Sequence, residues 1–125
     1  MIYLIRSYGK DEQTALKVGY ASNLELRMNQ YFYMNPFFEK ISSREGDEIL
    51  EKLLHYYLYY KGFQYKVDGK LNEWFIDDPK VIEIFNLSIE ELEKELWENR
   101  DKAFNLSSSK NKKILDYKLF EYLYQ

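Results

Sequence analysis

Two short apolar runs near the start of the chain, Ile2 to Ser7 and Ala15 to Tyr20, flank the polar stretch Tyr8-Gly9-Lys10-Asp11-Glu12-Gln13. Apolar runs of this length around a polar, glycine-containing break predict two strands of a hairpin. A hairpin of this form brings Tyr3 and Lys17 close together in one sheet. Everything later in the chain has to be placed against that sheet.

Ser22-Asn23-Leu24-Glu25 has the pattern of a capping box, with the serine capping and the glutamate reaching back. It predicts a helix to about Tyr33, with Leu24, Met28 and Tyr31 on the apolar side and Arg27 toward one edge. Asn35-Pro36 stops it. Phe37 to Ser43 reads as a third strand, with Phe38, Lys40 and Ser42 on the face opposite Phe37, Glu39 and Ile41. A second helix is predicted from Asp47 to Tyr60, ending at Lys61-Gly62. Its core stripe is Leu50, Leu53, Leu54, Tyr57 and Leu58; Tyr56, Tyr59 and Tyr60 are expected to be partly exposed. Glu51 and His55 stand one turn apart on a single face.

Phe63 to Phe75 reads as loop and short extended structure, closing in Asn72-Glu73-Trp74-Phe75. Asp78-Pro79 starts a helix, with aspartate as cap and proline in the first turn. Ser88-Ile89-Glu90-Glu91 is a second capping box and opens a charged helix to about Phe104. A polar link, Asn105 to Asn111, leads to a final short helix from Ile114 to Leu123. The expected fold class is α+β: a small three-stranded, mainly antiparallel sheet flanked by helices, with a helical C-terminal extension.

Composition narrows the chemistry. A chain of 125 residues suits one domain, and its high tyrosine and phenylalanine content is attributed mainly to a codon bias toward A and T. With no cysteine and one histidine, a thiolate site or a His-rich zinc centre is excluded. A metal would be held mainly by oxygen, which points to Mg2+ or Mn2+. The net charge of -3 argues against a broad nonspecific DNA coat and leaves room for a small local site. No apolar run is long enough to span a bilayer and the start lacks a secretory-leader pattern, so a soluble, cytoplasmic protein is expected, with no membrane partner.

The order of elements, and the residues set into them, resembles the GIY-YIG endonuclease superfamily. The likeness is to the phage and bacterial branch whose second motif begins with lysine and whose domain closes with Glu-Trp-Phe. Met1-Ile2-Tyr3 stands for the first motif and Lys17-Val18-Gly19, followed by Tyr20, for the second. Arg27 stands eight residues after Gly19, the offset of the family arginine. Glu51 matches the metal-binding glutamate, and Asn72-Glu73-Trp74-Phe75 the closing signature. The opening glycine is missing, lysine replaces the first tyrosine of the second motif, and Tyr31 stands where the wider family often has histidine. The resemblance covers residues 1–77, taken as the nuclease-like domain; residues 78–125 form the extension, packed on it or on a partner.

What the resemblance implies is metal-dependent hydrolysis of DNA phosphodiesters in the cytoplasm of a bacterial or phage-infected cell. Glu51 would be the ligand for Mg2+ or Mn2+, and Arg27 the clamp on two phosphate oxygens. Tyr3, Lys17 and His55 are the alternatives for the group that orients or deprotonates the water, and Tyr20 would assist at the phosphate. Glu73 is expected in an ion pair or supporting role, with Trp74 and Phe75 in the core. The rival reading is a catalytically silent member that binds nucleic acid or serves in an assembly. A homodimer through the C-terminal helices is a further expectation.

Overall fold

The computed structural model describes residues 1–9, 13–65 and 73–98. Eight elements follow one another: β1 (Ile2–Tyr8), β2 (Thr14–Tyr20), α1 (Leu24–Met34), β3 (Phe38–Arg44), α2 (Glu48–Tyr60), β4 (Trp74–Ile76), α3 (Pro79–Phe85) and α4 (Ile89–Glu98). The chain is α+β. Its sheet has four strands rather than the expected three, in the order β3-β1-β2-β4, with every pairing antiparallel. The added strand is the closing Trp74-Phe75-Ile76 segment, which pairs with Ala15, Leu16 and Lys17. Three residues are too few for alternation to announce a strand, so only the partner edge of β2 makes this one.

β1 lies in the middle and is buried on both faces. Ile2 and Leu4 point to the side covered by α2, where Leu50, Leu53, Leu54 and Leu58 are buried against them. Tyr3 and Ile5 point to the other side, under Leu24, Met28 and Tyr31 of α1. α1 has no fully buried residue, so it lies over the sheet as a thin cover.

Local chemistry sets the helix ends. Asn23, not the predicted Ser22, caps α1 by accepting from the Leu26 N–H at 3.0 Å. A shorter lead-in serves because asparagine caps as well as serine. Asp47 caps α2 in the same way through the Leu50 N–H at 3.0 Å. Gly62, with φ of 82°, ends α2 in the left-handed conformation that glycine adopts without a Cβ penalty. Asp78 caps α3, and Ser88 Oγ accepts from the Glu91 N–H at the start of α4.

One strand departs from simple alternation. Opposite β1, Leu4 pairs with Ser42 and Ile5 with Lys40, which leaves Ile41 as an extra residue in a bulge. The extra residue moves Ser42 off the face it was expected to share with Phe38 and Lys40. Ser42 reaches Asn86 at the end of α3, and Arg44 donates to the carbonyls of Phe85 and Leu87.

Tyr59, expected to be partly exposed, is buried beside His55 and Phe75. Val81, Ile84, Phe85 and Leu92 of α3 and α4 join the same core as α2. The predicted polar link and the helix at 114–123 lie outside the described residues.

Candidate active site

The site begins with a pair across the hairpin. Tyr3 of β1 is directly opposite Gly19 of β2. A Cβ at position 19 would stand 2.4 Å from both Cζ and the hydroxyl oxygen of Tyr3, so only glycine leaves the ring its place. The bare backbone of Gly19 lets the Tyr3 hydroxyl cross toward α1. There it lies 2.9 Å from the hydroxyl of Tyr31, with the rings in an edge-to-face contact.

Lys17 approaches the same hydroxyl from β2. Its ammonium donates to Tyr31 Oη, lies 5.0 Å from the Tyr31 ring centre and 5.7 Å from that of Trp74, and meets Glu73 Oε2 at 3.4 Å. The side chain of Lys17 is 16% exposed, so this cation is held between two rings and a carboxylate. β4 makes this possible, because pairing Trp74 with Lys17 brings the ring and Glu73 to the edge of β2.

Arg27, Gln30, Tyr31 and Met34 recur on α1 at steps of three and four residues and therefore share one face. With Lys17 they line an open cleft of about 230 Å³. Arg27 itself is exposed. Burial holds the Tyr3 hydroxyl above the usual tyrosine range, and the hydrogen bond and charge of Tyr31 act the same way; Arg27 opposes both. Tyr3 is therefore protonated at neutral pH.

Glu51 and His55 occupy the α2 side of the sheet and are both buried. His55 Nε2 lies 2.7 Å from the Val18 carbonyl, and the ring packs beside Phe75 and Tyr59. Burial lowers the histidine below its ordinary range, against the pull of the Val18 bond and of Glu73. The Glu51 carboxyl is pushed up, first by burial and then by the charge of Glu73, while Lys52 and Lys17 pull it down. Glu73 therefore stands electrically between the two groups, paired with Lys17 and felt by both Glu51 and His55.

The structure thus gathers Tyr3, Lys17 and Arg27 around one cleft, and Glu51 with His55 behind it. Tyr20 is not part of the hydroxyl network: it alternates to the α2 side, pairs with Ile2 and packs against the core there. Tyr31 is the residue that sequence reasoning undervalued, having been placed on the apolar side of its helix. Its position one turn after Arg27 was the available signal. Among the described residues no group of three or more His, Asp or Glu forms a metal cluster. A site for one divalent cation at a single carboxylate does fit, because Glu51 is a buried acid with no hydrogen-bond donor on it among the described residues.

Lysine, arginine and a tyrosine hydroxyl thus share one open cleft over an antiparallel sheet. A family model, the T5orf172 domain, matches residues 1–98, and the chain belongs to that family, a domain found in phage and bacterial nuclease-like proteins. No curated protein and no solved structure matches the chain. Among the described residues no helix is long and apolar enough to cross a membrane.

Proposed function

We propose that this protein is a metal-dependent endonuclease of GIY-YIG type that hydrolyses DNA phosphodiester bonds. The observation that carries the reading is the convergence of Lys17, Tyr31 and Arg27 on one open cleft, with Tyr3 buttressing Tyr31 from below. Arg27 is the exposed guanidinium and takes two oxygens of the scissile phosphate. Lys17 and the Tyr31 hydroxyl, already bonded to each other, hold the attacking water. Tyr3 keeps its proton and orients Tyr31, a role that suits a buried phenol better than that of base. His55 is shut away from the cleft and bound to Val18, so it acts on Glu51 rather than on the water. Glu51 is the residue that would hold Mg2+ or Mn2+, which when bound polarises the phosphate and assists the leaving oxygen. Tyr20 is left with a packing role.

Plasmid nicking with added Mg2+ or Mn2+ tests this. Activity should be lost in Arg27→Ala and in Glu51→Gln while both variants keep the wild-type circular dichroism. Nicking that survives both substitutions would sink the assignment. The net charge of -3 favours a second reading, a silent module that binds nucleic acid or serves in an assembly. It predicts salt-sensitive DNA retention without cleavage. Association through the C-terminal helices would show as a concentration-dependent mass in sedimentation of the full chain.

A further inference from the structure

His55 is 6% exposed, and the bonding of one ring nitrogen decides the state of the other. The Val18 carbonyl 2.7 Å from Nε2 can only accept, so Nε2 carries the ring proton of the neutral imidazole. Nδ1 is left with a lone pair. It faces Glu51 Oε1 at 3.9 Å, beyond hydrogen-bond range, and no other described residue bonds to it. With Glu51 ionised, two acceptors confront one another inside the fold, across a gap wider than either would choose with a proton between them. Such an arrangement is stable when a cation stands between them. The pair comes from one turn of α2, so its spacing is set by the helix. An imidazole tied by its far N–H to a backbone carbonyl is also how metal-binding histidines are held in one tautomer.

We propose that His55 Nδ1 and Glu51 Oε1 together form a nitrogen–oxygen seat for one divalent cation, selecting Mn2+ over Mg2+. This rests on the reading that Glu51 holds the metal and adds a nitrogen ligand to it. Magnesium takes oxygen ligands in near-ideal octahedra and gains little from an imidazole, whereas Mn2+ and its later neighbours accept one. Water fills the remaining positions.

The chain has one histidine, so labelling reads this nitrogen without any mutation. Full-length protein loaded with Mn2+ is examined by pulsed electron paramagnetic resonance, unlabelled and grown with [15N]histidine. The expected result is a directly bound nitrogen whose coupling changes isotope in the labelled sample. In calorimetric titrations, His55→Gln should weaken Mn2+ by at least about tenfold and Mg2+ far less. Bound Mn2+ without histidine nitrogen coupling, but lost in Glu51→Gln, would overturn the nitrogen ligand and leave the carboxylate site standing. A wild-type protein that takes up no Mn2+ would overturn both.

Discussion

At the scale of single residues, Tyr3 and Gly19 are one unit divided between two strands. The first can carry its ring over β2 only because the second carries nothing. Gly19→Ala should therefore cost about 1–3 kcal/mol in urea unfolding, the usual range for forcing a methyl into a packed space. In a Tyr3→Leu background the same change should cost clearly less, since the atoms it meets are the ring tip. Equal costs in both backgrounds would show that the close approach is not what the glycine serves. Glu51 is a second residue with a divided role. Burial raises its proton affinity, so the charged form is penalised in the fold and the native state binds that proton more tightly than the unfolded chain. In the presence of a chelator, Glu51→Gln should raise stability at pH 7 by about 0.5–2 kcal/mol. That advantage should shrink as pH falls through the raised value and vanish below the ordinary carboxylate range. Melting curves of both proteins across that range decide it.

At the scale of elements, the short edge strand β4 is held from outside its own hydrogen bonds. Asp77, immediately after it, accepts from Arg6 of β1 at 2.8 and 3.2 Å and from Thr14 of β2 at 2.6 Å. The hydrogen bond from Arg6 holds the Asp77 carboxyl below its usual range. A depressed carboxylate contributes stability above its unfolded value and loses it as pH falls through its folded one. Asp77→Asn should accordingly destabilise by about 1 kcal/mol at neutral pH, and the difference from wild type should disappear in acid. Because β4 carries Trp74 and Glu73 to Lys17, the variant should also disturb the site, visible as weakened DNA binding. The same dependence on neighbours marks α4. Leu92 is fully buried in the core under α2, so Leu92→Ala should cost about 2–5 kcal/mol, measured by denaturant titration. A cost below about 0.5 kcal/mol would mean that α4 is an appendage.

At the scale of the whole molecule, a net charge of -3 sits beside a cleft with two cations, Lys17 and Arg27. Binding to DNA through so few contacts should be weakly salt-dependent. The plot of log affinity against log salt should have a slope of about -2, far shallower than for a protein with a basic coat. A slope near -6 would require a cationic surface beyond this cleft. Phe32, Tyr33 and Met34 at the end of α1, and Phe37 just after it, are exposed apolar side chains, and Met34 lines the cleft.

What the sequence determined by itself is whatever depends on neighbours along the chain. The hairpin, α2 with its leucine stripe, its stop at Gly62 and the proline start of α3 all follow from spacing and local capping, so they were legible. So was the nearness of Tyr3, Lys17 and Arg27, whereas Glu51 stands on α2, behind their cleft. The tertiary structure alone decided the rest, because each remaining feature needs a partner far away in the chain. A three-residue strand exists only where β2 offers an edge. The bulge at Ile41 depends on the register with β1, and it turned Ser42 to the other face. Tyr31 became the centre of the cleft because Tyr3 and Lys17 reach it from two strands. His55 took its tautomer from the carbonyl of Val18, a group that no side-chain pattern can reveal.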